Sequence, residues 1–235
     1  MKVEYVNHMG DDSSVCDSAR VSFAKQANNF TQEQNTKLIN YLAKHNHWSP
    51  FTHTAITLRV QAPIAIRTQC MKHTVGLNIN EESRRYISDT PELFIPEFRN
   101  KPDSNIKQGS GEVIDTLTVH IPQSDDTEEF SMSYSQDNLQ KEYSDLANQT
   151  INFYNWLIAS GVAPEQARFI LPQGVETNWI WTGNLYSFAR FYNQRSDSYA
   201  QKEIQDLAQM VSDIIAPFYP ISWKALTEVD YELNT

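Results

Sequence analysis

The chain has 235 residues, 40% hydrophobic and 11% aromatic, with a formal net charge of -10. That length supports one domain with a sizeable core, and that apolar content excludes a disordered chain. The acidic balance excludes a broad nucleic-acid surface, which needs a basic face, but not a small anion held by a few clustered arginines.

Residues 2–8 read as a short edge strand, and residues 14–23 as helical at first, with Val15, Ala19 and Val21 among polar positions. Thr31 and Gln34 form a capping box, opening a helix that carries Leu38, Ile39, Leu42 and Ala43 on one face and ends near Asn46. Residues 54–62 alternate: Ile56, Leu58, Val60 and Ala62 face one way, and Thr57, Arg59 and Gln61 the other, a half-buried strand. Pro63 suits the first turn of a helix bearing Gln69, Lys72 and His73. Residues 74–80 read as irregular around Gly76, and residues 84–87 as extended.

Residues 100–137 are polar and acidic, with Gly109, Gly111 and Pro122 as breakers. They read as a surface insertion in which residues 113–121 form one strand of a hairpin. Leu139, Tyr143, Leu146, Phe153, Leu157 and Ile158 predict a long helix over 138–160, ended by Gly161. A short helix follows from Pro164 through Arg168 to Ile170, then a strand over 176–182 and helices over 184–194 and 198–216. The expected architecture is α+β, a small antiparallel or mixed sheet packed with helices in a single domain, 1–235.

Two cysteines, Cys16 and Cys70, are too few for a disulfide framework or a cysteine zinc site. The first eight residues lack an apolar core of the secretory kind, and no run of eighteen apolar residues occurs. The expectation is a cytoplasmic protein, in the host cytoplasm if virus-encoded, with no nucleic-acid or membrane partner.

Four stretches carry chemistry. From Gln69 to Tyr86, Lys72, His73, Asn80, Glu81, Glu82, Ser83, Arg84 and Arg85 crowd into eighteen positions. Polar groups this dense need partners when buried, and a ligand with phosphates and ring edges supplies them. Ser83 with neighbouring backbone N–H groups is suited to cradling a phosphate that Arg85 grips as a fork. Arg168, beside the apolar run Phe169-Ile170-Leu171, serves either as a structural ion-pair partner or as a binding group. In Arg195-Ser196-Asp197-Ser198, the last three read as a helix start; a cation just before it is mildly unfavourable with the helix dipole and calls for an anion or an acceptor-rich ring. His47 and His53, six apart, have no metal spacing and read as core or hydrogen-bonding histidines, so no metal is expected.

These stretches, in this order, resemble the flavin-dependent thymidylate synthase family: Ala19-Arg20-Val21-Ser22-Phe23, the segment from His47 to His53, that from Gln69 to Tyr86, Ala167 to Pro172, Trp181-Thr182-Gly183-Asn184, and Arg195 to Gln201. The resemblance implies a homotetramer with active sites between subunits. It implies conversion of dUMP to dTMP, with the one-carbon unit from methylenetetrahydrofolate and electrons from NADPH through FAD. Gln69, Lys72, Glu81, Glu82, Ser83, Arg84, Arg85 and Arg168 match dUMP-binding positions, and Arg195 matches the group that polarises the uracil at N3. Ser22, Ser49, Lys72, His73, Thr74, Val75, Glu81, Asn184, Tyr186 and Arg190 match flavin-contacting positions. Cys70 is read as a small packing residue rather than a nucleophile.

The chain departs from the family's Arg-His-Arg, seven residues, Ser: it has Lys72-His73-Thr74, eight residues, then Ser83. Lys has no bidentate fork. Thr52, Tyr186, Arg190 and Tyr199 stand where the family often has Glu, Arg, Asn and His. Arg190 is read as restoring the charge lost at Thr74. The competing reading is a flavin- or nucleotide-binding homologue that has lost turnover.

Overall fold

The computed structural model describes residues 1–102, 109–121 and 130–228. The strands in chain order are β1 (Lys2–Met9), β2 (Ala55–Pro63), β3 (Leu77–Glu81), β4 (Thr116–Ile121), β5 (Phe130–Ser135) and β6 (Glu176–Gly183). The helices are α1 (Asp12–Arg20), α2 (Gln32–Lys44), α3 (Ile64–Cys70), α4 (Gln136–Ala159), α5 (Pro164–Ala167), α6 (Leu185–Arg195), α7 (Lys202–Ile215) and α8 (Pro220–Thr227). A four-stranded sheet runs β1-β2-β6-β3, antiparallel throughout, and β4 with β5 forms a separate antiparallel hairpin. The architecture is α+β, as the periodicity indicates.

The sheet forms where the alternation is strongest. Ile56, Leu58, Val60 and Ala62 on β2 are fully buried, and so are Trp179 and Trp181 on β6, beneath the helical layer of Phe188, Phe191, Leu207 and Val211. The larger aliphatic and phenyl side chains among them each contribute on the order of 1.5–3 kcal/mol by leaving water. β1 lies at the sheet edge, as expected. The capping box at α2 is present, with Gln34 N–H donating to Thr31 Oγ1 at 3.3 Å and Thr31 N–H to Gln34 Oε1 at 2.9 Å. Arg20 is buried, stacked 3.8 Å over the Phe30 ring and bonded to Asn35, a structural use of that guanidinium.

Several expectations are corrected. Pro63 ends β2 and stands as the N-cap of α3 instead of inside its first turn; α3 stops at Cys70, so Lys72 and His73 lie in the turn beyond it. Residues 77–81, expected to be irregular, are β3: pairing with β6, from Leu77 opposite Gly183 to Glu81 opposite Trp179, overrides the weak strand preference of Asn78 and Asn80. Residues 84–87 form a turn, with Tyr86 and Ile87 N–H both donating to Ser83 O. Of the hairpin strand expected over 113–121, only Thr116–Ile121 pairs as strand, and the expected breaker Pro122 lies outside the described residues. Gly109 packs against the Tyr199 backbone.

The helix expected from Ser198 begins at Lys202, with Gln201 as N-cap, and Ser196 is the C-cap of α6. Arg195 is therefore the last residue of a helix, where the dipole favours a cation. On α4 the buried residues are Ala147, Ile151 and Tyr154, while Leu146 is 64% exposed, Phe153 46% and Trp156 60%. The helical spacing holds there, but the apolar stripe is wider than the rest of the chain covers. His47 and His53 are exposed, not core residues.

Candidate active site

The turn between α3 and β3 supplies Lys72, His73, Thr74 and Val75 to one cavity, while the ends of α3 and β3 away from it line another. Gly76 makes that turn possible: its φ is +70°, and a Cβ there would overlap Ser187 Oγ.

The first cavity, of about 570 Å³, lies where β3 runs into residues 82–85. Arg67, Glu81, Ser83, Arg84, Arg85 and Arg168 line it, with Glu82 and Glu176. Its carboxylates are engaged. Glu81 Oε1 accepts from Thr177 Oγ1 at 2.9 Å and lies 3.0 Å from Arg67 Nε, close enough for an ion pair although the N–H is misaligned for a hydrogen bond. Glu82 Oε2 accepts from Asn178 Nδ2 at 3.1 Å, and Glu176 meets the Met1 ammonium at 3.3 Å. Arg84 donates to the carbonyl of Asp89. Arg85 donates to Ser83 Oγ through its backbone N–H and its Nε, each at 3.4 Å. Among the described residues, neither Arg85 nor Arg168 has a carboxylate at ion-pair distance. Two guanidinium groups thus retain capacity for an external anion.

The second cavity, of about 160 Å³, is lined by Lys72, His73, Thr74, Val75, Arg190 and Arg195, among others, and by no carboxylate. Arg195 Nε donates to His73 Nε2 at 2.9 Å, and Arg195 Nη2 reaches the Gln69 carbonyl at 3.5 Å. Burial first, then the charges of Arg195 and Arg190, lower the His73 pKa from 6.5 to about 4. Burial pushes the Cys70 thiol up to about 12, so it stays protonated and is no nucleophile. A third cavity of about 480 Å³ shares Val75, Ser187 and Arg190 with the second and adds Trp48, Asn184 and Tyr186. Tyr186 Oη donates to Asn46 Oδ1 at 3.0 Å, and Asn184 Oδ1 caps α6 by accepting from Ser187 N–H at 2.9 Å.

Within one chain, then, the expected dUMP set is split. Glu81, Glu82, Ser83, Arg84, Arg85 and Arg168 share the first cavity, while Lys72 and Arg195 line the second. Gln69 stands beside the latter through its carbonyl, its side chain bonded to Gln201 Oε1 at 2.7 Å. Of the expected flavin set, Lys72, His73, Thr74, Val75, Arg190, Asn184 and Tyr186 gather around the second and third cavities. Glu81 lies in the first, and the exposed Ser22 and Ser49 line none of the three. Arg67 and Trp48 were not anticipated. Arg67 lies two residues before Gln69 on a short helix, and Trp48, 52% exposed, shows its ring to Tyr186 at 6.3 Å, an exposure no periodicity announces. Among the described residues no cluster of three or more His, Cys, Asp or Glu is placed to hold a metal, and no helix is long and apolar enough to cross a membrane.

In this fold two cavities thus offer guanidinium and ammonium donors suited to anions. Residues 4–221 match the family described as "Thymidylate synthase complementing protein". The flavin-dependent thymidylate synthase of Kosmotoga olearia is 34% identical over 229 residues, covering 97% of this chain and 91% of that protein. That of Thermosipho africanus is 32% identical over 227 residues, with the same shares. Among solved structures, a UMP/dUMP methylase, PolB of Streptomyces cacaoi bound with 5-Br dUMP, superposes with a TM-score of 0.72 at 26% identity, covering 97% of this chain and 94% of that one. The chain belongs to the flavin-dependent thymidylate synthase family, and it is an enzyme of the methyltransferase class.

The family implies a flavin, and the residues present fit one. Lys72, Arg190 and Arg195 offer positive charge with no carboxylate among the lining, next to a larger cavity walled by Trp48 and Tyr186. That is a donor set for an anionic cofactor with a planar ring.

Proposed function

We propose that the chain converts dUMP to dTMP, replacing the hydrogen on uracil C5 with a methyl group. Its carbon comes from methylenetetrahydrofolate and its reducing equivalents from NADPH. Bound FAD supplies the redox chemistry, and this chain's residues bind and orient. Arg85 and Arg168 hold the phosphate, with Ser83 and the backbone N–H groups beside it. Glu81, Glu82, Arg84 and Gln69 shape the nucleotide site around them. Arg195 faces the uracil, where its guanidinium favours the electron-rich ring that C5 needs as a nucleophile. Lys72, His73, Thr74, Val75, Arg190, Asn184 and Tyr186 surround the flavin, with Ser22, Ser49 and Glu81 contributing from outside those two cavities.

The observation that carries this reading is the split itself: two arginines lacking carboxylate partners in one cavity and Arg195 in another. A site completed by a second copy brings the two together. Exposed Leu146, Phe153 and Trp156 on α4, and Phe169 at 82% exposure beside Arg168, support a homotetramer as the form that buries them. Light scattering should then give about four times the 27.1 kDa chain mass.

The test is direct. Purified protein should be yellow and should make dTMP from dUMP, methylenetetrahydrofolate and NADPH. Protein that carries FAD and binds dUMP but yields no dTMP would instead be a binding homologue without turnover, the reading that the Lys72 and Thr74 replacements favour.

A further inference from the structure

We infer that His73 is the positioning residue of Arg195, its imidazole accepting from the guanidinium at Nε2 and setting the plane in which Arg195 faces its ligand. The inference rests on the proposed role of Arg195 at the uracil and deepens it.

Arg195 ends α6, and His73 sits in the turn after α3, 122 positions away in sequence, so tertiary packing alone makes their contact. An arginine donates and never accepts, so Nε2 of His73 must be bare and its proton must lie on Nδ1. The imidazole itself is held: its ring meets Phe191 edge-on at 5.1 Å, and Phe191 is fully buried in the core of α6. On the other side, Arg195 Nη2 leans on the Gln69 carbonyl. Two of the five guanidinium N–H groups are thus directed into the protein, and the other three are left for a ligand.

The chemistry of the acceptors matters as much as their place. Arginines that need a fixed geometry are commonly held by carboxylates, and a carboxylate would offset the positive charge it holds. Here both acceptors are uncharged, and no carboxylate lines the cavity. Arg195 is oriented without losing the field that a developing negative charge on the pyrimidine requires. Burial of the imidazole first, and then the charges of Arg195 and Arg190, favour its uncharged form and so preserve the acceptor.

The experiment pairs His73→Phe, which keeps the ring but removes the acceptor, with His73→Gln, whose amide oxygen takes the place of Nε2. In the otherwise native tetramer, His73→Phe should lower kcat with dUMP by roughly ten- to a hundredfold, the scale of losing a hydrogen bond to a charged group, while His73→Gln recovers most of it. In the Arg195→Ala background, His73→Phe should cost at least about fivefold less than in the native background, because residues that act through one another are not additive, and any remainder reports its place beside the flavin. An equal loss in both backgrounds, or no recovery with Gln, overturns the assignment. Nitrogen-15 spectra of the imidazoles in the unmodified protein at neutral pH supply an arm that needs neither turnover nor a folded variant. His73 should show a bare Nε2 and a protonated Nδ1, and the opposite tautomer or an imidazolium overturns the inference. Absence of dTMP from the unmodified enzyme would sink the proposed function and leave this spectral arm to decide the His73–Arg195 contact by itself.

Discussion

The two cation-lined cavities hold their charge in opposite ways. At the end of β3, arginines and glutamates interleave: Arg67 with Glu81, and Glu82 and Glu176 close by, each carboxylate also tied to a neutral or cationic donor. Around Arg195 the lining holds Lys72, Arg190 and Arg195 with no carboxylate, and the acceptors are an imidazole and a carbonyl. The first arrangement fixes shape with little net field and leaves Arg85 and Arg168 for an anion. The second concentrates positive charge, and His73, held down in pKa first by its burial, is lowered further by Arg195 and Arg190. One cavity is suited to gripping, the other to polarising, and a reaction that must do both to one nucleotide draws on two places that a single chain keeps apart.

The sharpest way to break that contrast is Arg195→Ala. Losing one preorganised electrostatic group should cut turnover by roughly two to three orders of magnitude, with dUMP affinity changed far less; a near-normal kcat refutes the polarising role. Arg168→Ala should act the other way, raising the KM for dUMP by roughly ten- to a hundredfold, as expected for a charge-assisted hydrogen bond, while kcat stays close to native. A kcat defect with unchanged KM would erase the distinction between the cavities.

A smaller effect is expected at Arg190. It lines the same cavity as Thr74, so it stands where it can replace the charge absent there. Arg190→Ala should weaken FAD retention about tenfold, the scale of one modest charge-assisted contact; unchanged retention in spin-filtration assays would sink the compensation. The least effect is on stability against pH. The His73 pKa falls from 6.5 to about 4, so between those values the unfolded chain binds more protons than the folded one. The contribution of neutral His73 is therefore fully present above pH 6.5 and is lost as pH falls toward 4. Urea titrations across that window should show a shallower acid decline in His73→Phe than in the native chain.

Much of the fold was legible because its signals are local. Alternation in Ile56, Leu58, Val60 and Ala62 names a strand and its buried face, and Thr31 with Gln34 names a helix start. The errors fall where a neighbour decides. Residues 77–81 look like loop until β6 is there to pair with them. Ser196-Asp197-Ser198 has good capping chemistry at either end of a gap, and the chain uses Ser196 to close α6, not to open α7. Leu146 and Phe153 have core spacing on α4 but face out, because periodicity reports an apolar stripe and not what covers it.

For the candidate site, the residue types by themselves pointed only to a ligand with phosphates and ring edges; the flavin and dUMP came from the resemblance that the motifs bear, in order, to the flavin-dependent thymidylate synthase family. Which of those residues share a cavity was decided in three dimensions. The His73–Arg195 contact spans 122 positions. Nothing in the local chemistry of either residue encodes it, because it exists only after the turn beyond α3 has packed against α6, with His73 edge-on to Phe191.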